Sequence, residues 1–580
     1  MQNRRTAGTG VAENGPVASN PIPMSARTGG ELVVASLIAQ GATHLFGVPG
    51  ESYLPVLDAL VDARGRLAFV TCRQEGGAAM MAEAVGKLTG RPGVAIVTRG
   101  PGASNAAIGV HVARQDSTPM VLLVGQVGTD FAGREAFQEV DYGQTFGSLA
   151  KAVVDVGRAD RIPECIARAW HAAMSGRPGP VVVVLPEDVL SDRAQVADVP
   201  RVEVARSAPD PDALRGAHAL LAGARRPLAI VGGSGWSQAS AAAMATLAAR
   251  WDWPIACAFR RQDLIDHRHA CYAGDVGIGV NPALAKRVRE ADVLLVVGER
   301  LGEMTTSGYT LLELPVPRQR LVHVHPDPAE PGRVYAPAVG LAATPDRFVE
   351  AFAALDVPGD RPWAGLAAEA HREYEAWREP RAVPGEVDLW TIVRWLDERL
   401  PDDAILTNGA GNYTTWIHRL FRHRSYGSQL APYSGAMGYG VPSAIAARLV
   451  HPDRLVVSWN GDGCFLMNGQ ELATAVAHRL AIVFVVVDNG MYGTIRMHQE
   501  RRYPDRVSGT DLVNPDFAAL ARAYGAHGYT VGRTAEFAPA FEAASGCGGP
   551  ALVHVRLDPQ AITMNASIDA LRAAGRRADG

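Results

Sequence analysis

No apolar run among the 580 residues approaches the roughly 18 that a membrane-spanning helix needs, so the sequence offers no membrane partner. Cysteine is sparse. Cys72, Cys165, Cys257, Cys271, Cys464 and Cys547 are scattered without a CxxC pair, which excludes a disulfide frame or a zinc site and reads as reduced thiols in a cytoplasmic protein. An excess of one charge is missing too: 56 lysines and arginines against 60 aspartates and glutamates leave a formal net charge of -4, which argues against a nucleic-acid binder. No short tandem repeat is visible. Residues 1–28 lack the apolar core of a signal peptide; they are polar and rich in Gly, Ala, Pro and Asn, and read as a disordered leader. What is present is ordinary for globular protein, 47% hydrophobic and 20% charged residues, and the length suits three or four domains.

The pattern becomes α/β at Gly29. A helical run, Glu31 to Gln40, leads to a short strand and the turn Val48-Pro49-Gly50-Glu51. A strand from Arg66 to Cys72 ends at Arg73-Gln74-Glu75-Gly76-Gly77, and a helix of small residues follows. Another strand ends at Gly100-Pro101-Gly102-Ala103-Ser104-Asn105, and Pro178 to Leu185 closes this unit near residue 190. Repeated strand–turn–helix units mean a parallel sheet covered on both faces. A linker of about 191–210 precedes a central unit, 208–355, that reads as a second Rossmann-like sheet. Its Gly232-Gly233-Ser234-Gly235 turn lacks the GxGxxG spacing and reads as a structural turn ahead of a nucleotide site. A second linker spans about 355–386. The third unit, 386–562, resembles the first in pattern, with Gly-rich strand ends at Asn408 to Tyr413 and Ser434 to Gly440; residues 563–580 read as a polar tail.

The most informative stretch is Trp459 to Gly493. An apolar run ends at Gly461-Asp462-Gly463, a helical segment follows around Asn468 to His478, and a second apolar run, Leu480 to Val487, ends at Asp488-Asn489-Gly490. This is a βαβ unit, whose two strands end on the same sheet edge. Asp462 and Asn489, 27 positions apart, therefore converge. A carboxylate and an amide oxygen beside glycine turns suit a hard divalent cation holding a phosphate. An isolated GDG is most often a surface turn; the strand-terminated pair is far more specific.

Several motifs in order carry a resemblance: Phe46-Gly47-Val48-Pro49-Gly50, Glu75 with its alanine-rich helix, Gly100 to Asn105, Ala136-Phe137-Gln138-Glu139, Ser434 to Gly440, and the GDG…DNGMYG stretch. Together they resemble thiamine-diphosphate-dependent enzymes of the acetolactate synthase and pyruvate decarboxylase type, over about residues 29 to 560. The resemblance implies three parallel-sheet α/β domains (PYR, central and PP), and a homodimer or homotetramer whose active sites lie between the PYR domain of one subunit and the PP domain of another. It implies Asp462, the Asn489 side chain and the Met491 carbonyl as Mg²⁺ ligands. Gly463 and Cys464 would bind diphosphate through N–H groups at a strand-to-helix turn. Ala410, Gly411, Asn412 and Tyr413 would form a second diphosphate loop, with Gly435 and Met437 at the aminopyrimidine, and Pro49, Gly50 and Gly493 also against the cofactor. Met437 reads as the wedge that bends the cofactor rather than as core filler. Glu75 resembles the glutamate that exchanges a proton with N1′ of the aminopyrimidine, which activates thiazolium C2; the bland reading is an ordinary first-turn helix glutamate.

Within that family Phe137, Gln138 and Lys151 would line the substrate channel, as acetolactate synthases imply. Glu51 departs: acetolactate synthases have a glycine there, whereas pyruvate decarboxylases have an aspartate in the same turn. Glu51 is either a proton-handling group or a helix cap. The paired histidines of pyruvate decarboxylases are absent; the stretch reads His111-Val112-Ala113-Arg114-Gln115, with Gln115 facing substrate. His498 stands where acetolactate synthases place a tryptophan that selects the acceptor, so it either offers substrate a hydrogen bond or is a surface residue. The arginine toward FAD would fall near Gly147, so FAD is admitted but not favoured. The leading expectation is a thiamine-diphosphate- and Mg²⁺-dependent carboligase/lyase acting on a small-molecule 2-keto acid. Simple decarboxylation is second, and a non-catalytic nucleotide-binding regulatory relative is the alternative of another class.

Overall fold

A computed structural model of the protein describes residues 25–578. It contains three six-stranded sheets, each parallel throughout. The first has β1 (His44–Gly47), β2 (Ala68–Thr71), β3 (Gly93–Val97), β4 (Met120–Gln126), β5 (Ala152–Asp155) and β6 (Pro180–Pro186), in spatial order β2-β1-β3-β4-β6-β5. The central sheet has β7 (Pro227–Val231), β8 (Ile255–Cys257), β9 (Tyr272–Asp275), β10 (Val293–Val297), β11 (Arg320–His325) and β12 (Val339–Ala342), in order β9-β8-β7-β10-β11-β12. The third has β13 (Ile405–Asn408), β14 (Gln429–Leu430), β15 (Val456–Gly461), β16 (Ile482–Asp488), β17 (His527–Val531) and β18 (Ala551–Arg556), in order β14-β13-β15-β16-β18-β17. The first and third sheets thus share one strand order, while the central sheet has the order of a dinucleotide-binding fold. Strands such as Val181–Leu185 and Ile482–Val487 are apolar at every position because both faces of a parallel sheet are covered.

Six helices bear on the site: α1 (Glu75–Thr89), α2 (Pro101–Asp116), α3 (Gly440–Val450), α4 (Asp462–Asn468), α5 (Gly493–Arg502) and α6 (Ile568–Ala578). The small residues of α1 allow its close approach to α2 and α3. A Cβ added to Gly109 of α2 would lie 2.4 Å from that of Ala79. One continuous apolar core runs through the first and third units, from Phe46 and Met80 to Ile445 and Val486.

Four boundaries differ from the sequence reading. Arg27–Thr28 pairs antiparallel with Arg193–Ala194, and Thr28 caps the helix Gly29–Ala39 in a capping box with Glu31. The first unit therefore starts inside the expected leader, whose residues 1–24 lie outside the described residues. The second linker contains the helix Leu366–Trp377, which buries Ala367, Ala370 and Tyr374 against the central unit. The expected tail holds α6, packed on α5. Helix formation after β15 begins at Asp462 itself, is interrupted by a 3₁₀ turn at Gly469–Glu471, and ends with Leu472–Ala477.

Candidate active site

β15 and β16 run side by side with Gly461 opposite Val487. Asp462 and Asn489 therefore leave the sheet at the same edge, beside the end of β13 at Asn408. This edge is the topological switch point, where β13 leads outward to β14 and β15 leads the other way. The turns are tight: a Cβ on Gly461 would lie 2.6 Å from the Tyr413 ring, and one on Gly463 2.7 Å from the Tyr492 ring. A cavity of about 250 Å³ opens there. Ala410, Gly411, Asn412, Tyr413, Gly435, Met437, Asp462, Gly463, Cys464, Asn489, Met491 and Gly493 all line it.

The acids at its floor are paired. Asp462 Oδ1 accepts from the Gly463 N–H at 2.8 Å, and Oδ2 accepts from Asn514 Nδ2 at 2.8 Å. The same amide donates to Asp488 Oδ1 at 2.7 Å. Burial pushes the Asp462 carboxyl up to about 6, and the Asp488 charge adds to the rise. Asp488 goes the other way: burial raises it, but hydrogen bonds from His554, Asn514 and the Gly490 N–H bring it below its ordinary value. Two carboxylates sharing one neutral amide leave negative charge that a cation would neutralise. Among the described residues no group of three His, Cys, Asp or Glu could hold a metal; the oxygen set here is one carboxylate, the Asn489 amide and the Met491 carbonyl, suited to Mg²⁺ with retained waters.

Asn412 is engaged with its neighbours. Its N–H donates to Thr494 Oγ1 at 3.0 Å, and its Nδ2 donates to the Ile562 carbonyl at 3.1 Å. Tyr413 donates to Cys464 Sγ at 3.1 Å, which also accepts from the Gly438 N–H at 3.2 Å. The loop carrying Gly435 and Met437 is held by all three units. Lys87 donates to the Ala431 carbonyl, Asp116 accepts from the Tyr433 N–H, and Arg260 donates to the carbonyls of Pro432 and Gly409.

The first unit presents its own residues at the carboxyl edge of its sheet. Glu75 opens α1, and its Oε2 accepts from Asn105 Nδ2 at 2.9 Å. Behind it the buried Glu471 accepts from the N–H groups of Arg73 and Gln74. Gly50 approaches Thr98 so closely that a Cβ would lie 2.6 Å from it; Pro49 is exposed beside it. Glu51 is exposed in the first turn of the 3₁₀ segment Glu51–Tyr53, whose cap position is Gly50. Phe137 is 78% exposed, and Gln138 has φ +64°. None of these residues lines the 250 Å³ cavity.

Lys151 corrects the sequence reading. It precedes β5, at the amino edge of the sheet and opposite Glu51 and Glu75, and its ammonium donates to the carbonyls of Ser175 and Arg177. Burial lowers it to about 8. A second cavity of about 800 Å³ lies between the units. Gln115, Arg260 and Arg300 line it, and it shares Ala410, Gly411, Asn412, Gly435 and Thr494 with the smaller one. The face of α5 toward it is Thr494, Met497 and Arg501; the exposed His498 lines neither cavity. Asn514, Glu471 and Arg260 carry no motif, and sequence reasoning missed them; Asp488 adjoins a motif residue, and was passed over.

Comparison with known proteins agrees with this geometry. Thiamine pyrophosphate enzyme models match in order: the N-terminal TPP binding domain over residues 27–145, the central domain over 214–352 and the C-terminal TPP binding domain over 409–555. The acetolactate synthase isozyme 2 large subunit of Escherichia coli (strain K12) is 33% identical over 536 residues, covering 91% of this chain and 95% of its own. The chain belongs to the thiamine pyrophosphate enzymes. Other family members include an acetolactate synthase of Mycobacterium bovis, 31% identical over 86% of this chain and 83% of its own. A probable acetolactate synthase large subunit of Methanocaldococcus jannaschii is likewise 31% identical, over 86% of each chain. As a thiamine pyrophosphate enzyme the protein binds thiamine diphosphate, and the strand order shared by its first and third sheets is that of its two TPP-binding domains.

Proposed function

We propose that the protein decarboxylates a 2-keto acid donor and joins the remaining fragment to a carbonyl acceptor, as an acetolactate-synthase-like carboligase. The observation that carries this reading is the 250 Å³ cavity, in which the Asp462–Asn489–Met491 oxygen set meets the Gly411–Tyr413 loop and Met437. Bound thiamine diphosphate supplies a carbon nucleophile and an electron sink. Asp462, Asn489 and the Met491 carbonyl would hold Mg²⁺ beside the diphosphate, and the Cys464 N–H in the first turn of α4 would be offered to it, while the Gly463 N–H is already taken by Asp462 Oδ1. Met437, which lines the cavity, would pack against the bound cofactor. Glu75 holds the proton exchanged at N1′ and comes from a partner subunit, since its own chain leaves it outside the cavity. Phe137 and Gln138, at the same edge as Glu75, face substrate from that side, and Gln115 does so from the larger cavity. His498 is assigned no contact.

Simple decarboxylation is kept as a second reading because the exposed Glu51 stands at the same sheet edge as Glu75, where it could serve as a proton-handling group. FAD is not part of the proposal, because Gly147 stands where the resemblance would place a flavin-facing arginine. Product analysis with pyruvate as sole substrate decides between the readings. Acetolactate or acetoin is expected, absent when Glu75→Gln replaces the wild type; free acetaldehyde alone would establish the decarboxylase. Among the described residues no helix is long and apolar enough to cross a membrane, and the substrate is a small molecule.

A further inference from the structure

A buried polar cluster lies between α1 and α3, away from both cavities. Glu83, on α1, is fully buried; its Oε1 accepts from the Thr118 hydroxyl at 2.8 Å and its Oε2 from the Tyr439 hydroxyl at 2.5 Å. Tyr439, also fully buried, caps the start of α3 directly after the Gly435–Gly438 segment. A full turn further along α1, Lys87 pairs with Asp116 at 2.5 Å while the two hold Ala431 and Tyr433 at the other end of the same loop. Glu83 lies eight residues, or about 12 Å of helix, from Glu75. A carboxylate so deeply buried is costly unless its hydrogen bonds are complete, and burial raises Glu83 even though the Tyr439 and Thr118 bonds lower it. Replacing it with an apolar residue would satisfy packing alone, so the bond fixes register between two elements rather than filling space.

These elements serve different sites. On the shared-site reading proposed above, on which this inference rests, Glu75 of one chain enters its partner's site, while the Gly435–Met437 loop of the same chain belongs to its own. We propose that Glu83 and Tyr439 are positioning residues that tie the helix carrying one site's activating acid to the loop carrying the other site's cofactor contacts. A shift of the loop in one site then moves Glu75 in the other, through the rigid α1 helix.

The test uses heterodimers of differently tagged full-length chains. A Glu75→Gln chain paired with a wild-type chain leaves one live site, built from the unmutated cofactor cradle of the first chain and Glu75 of the second, and is expected to show half the wild-type activity. Placing Tyr439→Phe in the second chain leaves that live site with every contacting residue intact; only the bond behind Glu75 is gone. At least about a threefold fall in kcat is expected, with KM for the 2-keto acid and the affinity for thiamine diphosphate unchanged. Glu83→Gln in the second chain is expected to act likewise, and stands in if Tyr439→Phe does not fold. Equal kcat for variant and control heterodimers would overturn the inference alone. A heterodimer of a Glu75→Gln chain with an Asp462→Ala chain puts both lesions in one site on the shared-site reading and is expected to keep half the wild-type activity; no activity at all would overturn the shared-site reading itself.

Discussion

Asp462 and Asp488 stand beside one amide, and that amide decides how the site holds charge. Asn514 Nδ2 donates to both carboxylates, while its Oδ1 has no hydrogen-bond partner among the described residues. A group that orients a metal ligand from behind is worth about 10- to 100-fold in metal affinity. Asn514→Ala is therefore expected to weaken Mg²⁺ by about tenfold, read from a Mg²⁺ titration of activity at saturating thiamine diphosphate. The convergence of Asp462 and Asn489 was legible in the sequence because one βαβ unit carries both, and its geometry follows from local pattern; Met491 came only from the resemblance. Asn514 lies 52 residues from Asp462 in an irregular segment, and no spacing rule reaches it. Lys151 shows the reverse case: a side chain read by motif as a channel residue sits at the opposite sheet edge, because which end of a strand a residue occupies depends on where the strand begins.

Among the elements, α5 and α6 form a unit that the sequence did not reveal. Glu500 of α5 is fully buried and accepts from Arg572 of α6 at 2.8 and 2.9 Å and from Arg496 at 3.0 Å. The Arg572 bonds, with that of Arg496, bring its carboxyl down to about 2. A lowered carboxyl contributes stability that is complete above its ordinary value of 4.5 and lost as pH falls through about 2. The docking of α6 should accordingly weaken only in strong acid. At neutral pH Arg572→Ala is expected to release α6, with faster proteolytic cleavage after residue 503 in timed digests and a cost of about 1–3 kcal/mol. The polar composition of residues 563–580 hid this helix, since its anchor is a charge pair with a residue 72 positions earlier. The phase of α5 was hidden in the same way: the resemblance points to His498, but the face that meets the larger cavity is Thr494, Met497 and Arg501.

For the whole molecule the decisive relation is between chains. On the reading proposed above, one chain provides a cofactor cradle in its third unit and an activating acid in its first, and Glu75 does not line the cavity of that cradle. Activity should therefore depend on association. Serial dilution is expected to lower turnover per chain along the same curve that records dissociation by light scattering or mass photometry; constant turnover in a monomeric fraction would contradict the shared site.

By itself the sequence determined three parallel α/β units, the glycine turns at their strand ends, and the residues of the Trp459–Gly493 stretch, because alternation of apolar runs with turn residues is a local property of the chain. Tertiary structure decided what depends on contacts distant in sequence. It brought Asn514 onto the two aspartates, docked α6 on α5, set Glu83 against Tyr439 across 356 positions, and left Lys151 on the far edge. It also located the Asp462 and Asn489 site at a switch point between strands, which only the strand order shows. On the proposed reading that stretch holds the metal and the diphosphate, and the carboxyl that activates the other end of the cofactor is brought to it by the association of two chains, a relation that no spacing within one chain encodes.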